Sequence, residues 1–535
     1  MKNKMLSGTF WMSFGSIFSR ILGVIYIIPW LLMLGSQQNQ YTAQALFNAA
    51  YTPYALFLAL GTSGFPTAIS RKIAIYNSEQ RFRDSQQLFR AAIFFMCISG
   101  LVCGLLFYFA APAVAGSSPI LGGASAVSII RALVPALFIL PVMSIIRGWF
   151  QGNEDMKPFG VSQLVEQLVR VLSILLLTFI SYTLLHTSLE VAVALSTFAA
   201  FTGAIASLAY LMNYYHRQKP LYQKLKAASQ PATGLNTKQL FWQICKEALP
   251  FVYVGSAITI AQLIDQFTFK QIMRLGSQLS LTAIQNMFTL FSANPSKITT
   301  VIVSLAIAIS GTTLPLLASA HADPQKAAVI IQDNFRLLFG LLAPVTIILA
   351  LLAGRINTVF FGYNLHGSWL MFWSILITFV QAIFTDVFTL IQSLGKHRMA
   401  VILLSITLLI KFILQYPLVY FFHDYGALWA TAISFGLVAE YCVYYLMKLS
   451  NETKLADFAD LGLLSRANLI FAVLATGLLG ILSLFSVADT RIASFLFSCV
   501  YGLLALGILA VIAYYYNLPK IILKLKWGRT QYKHF

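Results

Sequence analysis

Charged residues are scarce in this chain. Asp, Glu, Lys and Arg make up 10% of it, where a soluble domain carries about 25%. Too little polar surface is left to cover a water-facing core, which excludes a soluble enzyme. Cysteine is sparse as well. Cys97, Cys103, Cys245, Cys442 and Cys499 form no CxxC pair, so they read as small apolar residues and as neither disulfides nor metal ligands. Seven histidines are scattered, and there is no HExxH and no GxxxxGKS/T. Zinc hydrolysis and nucleotide-driven pumping therefore lack their usual motifs. No cofactor is expected. No long polar segment is present to form an external catalytic domain, so the chain is not read as an enzyme.

What the chain has instead is hydrophobic length. It is 59% hydrophobic, and its apolar runs repeatedly reach about 20 residues, the length of helix that crosses a hydrocarbon core. Fourteen spans are read: 8–34, 45–69, 91–114, 124–149, 158–184, 188–213, 247–273, 297–320, 337–354, 367–394, 399–422, 425–447, 467–488 and 493–517. The basic opening MKNK precedes an apolar stretch too long for a signal peptide, so that stretch is read as the first span. The expected fold class is an all-α integral membrane protein with 14 transmembrane helices, multi-pass in the bacterial cytoplasmic membrane.

The formal net charge is +19, and its distribution decides its meaning. RKIAIYNSEQRFRDSQQLFR (71–90), HRQKPLYQKLKAASQ (216–230) and KIILKLKWGRTQYKHF (520–535) are basic, while SQQNQYTAQ (36–44), PAVAGSSPILGG (112–123) and SYTLLHTS (181–188) contain no Lys or Arg. This is the positive-inside bias, and it predicts that both termini are cytoplasmic. The excess also attracts anionic membrane lipids. Nucleic acid is not needed to account for it.

The chain contains an internal echo. RGWFQGNEDM (147–156) and LIQSLGKHRM (390–399) each place a Gly four residues before a Met, and TSGFPTAIS (62–70) and GTTLPLLAS (311–319) each place a Pro four residues before a Ser. An offset of about 245 residues in both pairs suggests repeated halves, as many transporters have. The expected organisation is a six-helix lobe (1–213), a basic cytoplasmic linker (214–246), a second six-helix lobe (247–447), a linker (448–466), a helix pair (467–517) and a basic tail (518–535).

Charges at membrane depth each need an account. In SQLVEQLVR (162–170), Ser162, Gln163, Glu166, Gln167 and Arg170 fall within an arc of about 140° on one helix face. Glu166 and Arg170, spaced i, i+4, read as an ion pair, with a polar pathway as the alternative. Arg20 lies roughly 18 Å into the first span, with Ser13 and Ser16 on its face. Asp265, in ITIAQLIDQFTFKQIMRLG (258–276), shares a side with Gln262, Gln266 and Lys270. It reads either as a proton or cation site or as the partner of Lys270, Lys297 or Arg131. Lys297 opens its span and can snorkel to water. Lys411 and Glu440 read as a mutually neutralising pair, and Asp386 and Gln392 as facing a hydrated inner vestibule. GTSGFP (61–66), Pro135, Pro141, Pro250, Pro315, Pro344 and Pro417 are candidate bending points.

SRILGVIYIIPWLLMLG (19–35), FNAAYTPYALFLALGTSGFPTAISRKIA (47–74) and RGWFQGNEDMKPFGVSQLVEQLVRV (147–171) carry a resemblance. With EALPFVYVGSAITIAQLIDQFTF (247–269) and LIQSLGKHRMA (390–400), they are similar to the polysaccharide-transport branch of the multidrug/oligosaccharidyl-lipid/polysaccharide exporter superfamily. Within it they most resemble the Gram-positive lipid II flippases and related spore-cortex proteins. The resemblance implies two six-helix lobes that alternate between inward and outward openings, with helices one, two, seven and eight lining a cavity. It also implies a groove for a lipid tail on helices thirteen and fourteen, and undecaprenyl-diphosphate-linked muramyl-pentapeptide disaccharide as cargo. Arg20 matches one of the family's diphosphate-holding cations, Lys297 matches another approximately, and Arg131 is a third candidate. Asp265 and Lys270 are candidate cavity charges. Tyr26 and ALFLAL (55–60) stand where the Gram-negative branch adds arginines, which leaves fewer cavity cations. Gln163, Glu166, Gln167 and Arg170 are implied to brace the N-terminal lobe.

Four other readings compete. A flippase for another undecaprenyl-linked glycan, such as a teichoic-acid or capsule unit, is the nearest. A drug/cation antiporter would have twelve spans and a carboxylate-dominated cavity. A membrane-embedded glycan polymerase would need catalytic carboxylates or His on a large outer loop. A non-transporting scaffold for the cell-wall synthesis machinery would not need charges at depth.

Overall fold

Lipid supplies no hydrogen-bond partners, so a chain crosses it only where every backbone N–H and C=O is satisfied internally. Among the described residues, every regular element is helical. The computed structural model describes residues 11, 15, 18–62, 64–231, 237–320, 323–451, 459–485 and 488–518. MKNK, Ser13, Ser16 and the tail 520–535 lie outside these. Ten helices among the described residues are long and apolar enough to cross a membrane, and Phe18–Met33 is a shorter apolar helix.

Two compact units divide the chain at Thr289 and Leu290. The first contains α1 (Phe18–Met33), α2 (Gln37–Thr62), α3 (Phe65–Ser78), α4 (Phe82–Ser117) and α5 (Gly123–Gly152). It continues through α6 (Lys157–Leu184), α7 (Leu189–Arg217), α8 (Lys219–Ala227), α9 (Thr237–Gly255), α10 (Ala257–Gly276) and α11 (Leu281–Phe288). Membrane helices approach closely where side chains are small. A Cβ on Gly148 would stand 2.8 Å from Pro66 O, and one on Gly152 2.8 Å from Ser70 O. These contacts join the RGWFQGN and TSGFPTAIS motifs, so the echoed segments of the first half are packing partners. Gly203 of α7 likewise crosses α6, where an added Cβ would stand 2.6 Å from Glu166 O.

An aromatic chain runs through this unit from Trp30 to Phe47 (5.4 Å), Tyr51 (4.3 Å) and Tyr54 (5.5 Å). Trp30 Nε1 donates to Ser196 Oγ at 3.1 Å, as a buried indole N–H should find an acceptor. Helices α10 and α11 belong to this unit through amide side chains. Gln266 Nε2 donates to Ala49 O at 2.9 Å and to Ser118 Oγ at 2.8 Å. Gln285 accepts from Leu121 N at 2.6 Å and donates to Thr42 Oγ1 at 3.0 Å. The unit boundary therefore lies beyond the basic 214–246 segment that the sequence marks as a link.

The second unit contains α12 (Asn294–Ser319), α13 (Pro324–Leu351), α14 (Ala353–Phe361) and α15 (Leu365–Ser393). After these come α16 (His397–Asn451), α17 (Ala459–Ser483) and α18 (Arg491–Tyr515). The long α16 is broken at His423, whose φ of 54° is left-handed, a conformation that costs a non-glycine residue energy. The pair α17–α18 is fastened at three places. Arg336 Nη2 meets Asp460 Oδ2 at 2.5 Å, Asn468 Nδ2 donates to Phe339 O at 2.9 Å, and Arg355 Nη1 meets Asp489 Oδ1 at 2.9 Å.

Candidate functional site

The polar face of α6 looks into the first unit. Ser162 is fully buried and Gln163, Glu166, Gln167 and Arg170 are half-buried. Glu166 Oε2 accepts from Arg147 Nη2 at 2.8 Å, and the same guanidinium reaches Ser162 Oγ at 2.8 Å and Ser207 Oγ at 3.1 Å. Arg170 instead lies 5.0 Å over the Tyr51 ring, a cation–π arrangement. The expected i, i+4 pair is thus replaced by one between α5 and α6. Arg147 brings a forked donor to the carboxylate and both serines at once, and Arg170 is left to the aromatic chain. Gln167 Nε2 is 3.2 Å from the position of a Cβ on Gly23, which sets this face against α1.

Arg20 is exposed on α1 and makes no ion pair among the described residues. Arg131 does not share that freedom. Its guanidinium sits 4.0 Å over the Tyr108 ring and its Nε donates to Tyr108 O at 3.4 Å. Lys270 Nζ donates to Gly116 O at 2.8 Å. Among the described residues neither Arg131 nor Lys270 makes an ion pair, so neither is the salt-bridge partner offered for Asp265. Asp265 itself is buried on α10, beside Gln266. Lys297, near the start of α12, is half-buried.

Two readings for the second unit are corrected. Lys411 is fully buried and its Nζ donates to Ala427 O and Thr431 Oγ1, both at 2.8 Å. Glu440 is exposed and lies about 13 Å beyond Thr431 along the helix, out of ion-pair range of that ammonium. A carbonyl and a hydroxyl dipole solvate the charge instead. Asp386 is fully buried and does not face a vestibule. Its Oδ2 accepts from Asn334 Nδ2 at 2.6 Å, and Asn334 Oδ1 accepts from Thr313 Oγ1 at 2.7 Å. Gln392 is buried as well. Among the described residues no group of His, Cys, Asp and Glu is arranged to hold a metal.

Arg147, Thr431, Asn334 and Arg336 were not singled out from sequence. Arg147 stands in the quoted RGWFQGNEDM motif, and its depth in an apolar run was the signal available.

These features define an all-helical, multi-pass cell-membrane protein with charges held inside its helix bundles. Its fold is shared with solved membrane proteins of low sequence identity. A solved lipid II flippase MurJ in an inward closed conformation superposes with a TM-score of 0.64, over 95% of this chain and 98% of that one, at 14% identity. An inward-facing multidrug resistance MATE family transporter of the MOP superfamily gives 0.62, over 82% and 96%, also at 14% identity. Residues 5–321 match the family described as polysaccharide biosynthesis protein, and the chain belongs to that family. It is 32% identical over 461 residues to the lipid II flippase MurJ of Bacillus subtilis (strain 168), covering 84% of this chain and 83% of that protein. Stage V sporulation protein B of the same organism is 25% identical over 249 residues, 46% of each chain.

Proposed function

We propose that this protein flips lipid II, the undecaprenyl-diphosphate-linked peptidoglycan precursor, from the inner to the outer leaflet by alternating access. The identity to the Bacillus subtilis flippase along most of both chains carries this reading. The chemistry of the cargo agrees with it. A diphosphate and a sugar-peptide headgroup cannot cross hydrocarbon unaided, whereas the polyprenyl tail can remain in lipid. The protein needs only a polar, cationic route for the headgroup and performs no covalent step.

Arg20 is the cation we assign to the diphosphate, and Lys297 we assign separately to the polar route of the headgroup. Arg20 is exposed at membrane depth, and its planar fork suits two phosphate oxygens. Arg131 is assigned instead to holding α5 against α4, since its guanidinium is already stacked on Tyr108. We further propose fourteen spans, in two six-helix lobes and a final pair, with both termini cytoplasmic. The break at His423 divides α16 into two spans, and Phe18–Met33, α2 and α10 supply spans beyond the ten most apolar helices.

The test is lipid II sidedness in cells depleted of their native flippases and given only this protein, probed with an external enzyme that cleaves exposed headgroups. Restored cleavage that disappears with Arg20→Ala supports the reading. Lipid II that stays inside while the protein is present and folded assigns the cargo to another undecaprenyl-linked glycan.

A further inference from the structure

We infer that helix α8 is a docking element for the anionic lipid surface at the basic end of the first unit. The helix follows α7 with only Gln218 between them, so it begins where a membrane-crossing helix leaves hydrocarbon. Its orientation is set by one residue. Tyr222 is buried at 6% exposure, stacked on Phe82 at 6.0 Å, edge-on to Trp149 at 5.5 Å and 5.3 Å from Tyr215. Hydrogen bonds hold the far end, where Arg83 Nε donates to Lys226 O at 3.4 Å, Arg83 N to Ser229 Oγ at 3.1 Å and Gln230 N to Gln80 O at 3.0 Å. The helix is a fixed platform.

With Tyr222 turned inward, Leu221 and Leu225 are left 50% and 40% exposed. They stand one turn apart on a shared face, which is flanked by Lys224. Lys219 and Lys226 are exposed on the remaining arc, and Arg217 is exposed just before the helix. No acidic residue occurs between Glu190 and Glu247. The nearby acids are engaged elsewhere: Asp84 and Glu79 with Arg81, and Asp155 with the Tyr214 hydroxyl. Two leucines flanked by Lys224, on a helix whose other lysines are also uncompensated, match a leaflet at the end of a membrane helix, with acyl chains for the leucines and lipid phosphates for the long lysine side chains. An acidic protein would satisfy the lysines but has no need of leucines at that depth.

The inference is independent of the transport reading, and its readout needs no transport. The full chain, with its five native cysteines replaced by serine, carries Leu225→Cys labelled with bimane. It is reconstituted into vesicles of phosphatidylcholine alone or mixed with phosphatidylglycerol, each holding a lipid with a nitroxide high on its acyl chain. Strong quenching is expected in the phosphatidylglycerol vesicles, with much less in phosphatidylcholine. Lys219→Gln, Lys224→Gln and Lys226→Gln together should raise the phosphatidylglycerol fraction needed for half-maximal quenching severalfold, each lysine counting for roughly a fivefold change in affinity. Tyr222→Ala, which frees the helix from its platform, should weaken quenching in both lipids while the melting temperature of the spans holds. Equal quenching in both lipids, with and without the lysines, would overturn the anionic preference. No quenching in either would show that water or another protein covers this face.

Discussion

Arg147 and Glu166 lie 2.8 Å apart, on helices that meet only by tertiary packing. Because one guanidinium also serves Ser162 and Ser207, Arg147→Ala should strand the Glu166 carboxylate and take a donor from both hydroxyls, which keep their bonds to Phe159 O and Ser162 O. The expected loss is about 3 kcal/mol, read as a lower melting temperature in detergent. A double-mutant cycle should show coupling of roughly 0.5–3 kcal/mol between Arg147 and Glu166, and less between Glu166 and Arg170.

Arg20→Ala should leave the melting temperature unchanged and lower flipping at least tenfold, since a charge-assisted hydrogen bond to a phosphate is worth about 1.5–3 kcal/mol. Arg20→Lys should retain part of the activity, because the charge stays and the fork is lost. Headgroup exposure at matched protein levels measures both. An equal fall in stability would move Arg20 to a structural role.

Gly203→Ala should destabilise the first unit by about 1–3 kcal/mol, because its Cβ would stand 2.6 Å from Glu166 O and 2.9 Å from Arg170 Cβ on the facing helix. Gly255→Ala is the control, as nothing lies within 4 Å of the added methyl group. Parallel thermal scans compare the two.

Arg336→Ala should loosen α17, because its guanidinium bridges Asp333 of α13 and Asp460 of α17 from a buried position. Faster amide exchange over residues 459–483 is the expected signature. Arg355→Ala removes a more exposed pair with Asp489, which should be worth about 1 kcal/mol or less and should leave that exchange nearly unchanged.

Thr431→Val should cost about 1–3 kcal/mol by taking an acceptor from a buried ammonium. Glu440→Gln should cost nothing measurable, and Lys411→Met, of similar shape and without charge, should be close to neutral. A large effect of Glu440→Gln on melting would restore the ion pair read from sequence.

The helices were legible because hydrocarbon imposes one solution on any apolar run of sufficient length. Partners were not. Glu166 and Arg170 have the spacing of a local pair, but a helix face chooses among all the donors packed on it, and Arg147 reaches the carboxylate from the neighbouring helix while Arg170 lies over Tyr51. Lys411 shows a different blind spot: charge patterns suggest Glu440 as its partner, whereas its ammonium donates to a carbonyl and a threonine hydroxyl. The attachment of α10 to the first unit escaped notice because Gln266 and Gln285 act through amides, which composition does not distinguish from surface polarity. Arg20 stands out in sequence as a cation in an apolar run with no nearby acid, and its assignment to the diphosphate rests on the proposal above.

The meeting of Pro66 and Ser70 with Gly148 and Gly152 has a mechanical consequence. Two carbonyls four residues apart touch two glycines four residues apart, so α3 meshes with α5 tooth for tooth. A displacement of a single residue would drive the side chains of Trp149 or Asn153 against those carbonyls. A slip of a whole turn keeps one of the two contacts and sets the other carbonyl against Ser144 or Met156, so this junction is a lock and not a sliding bearing.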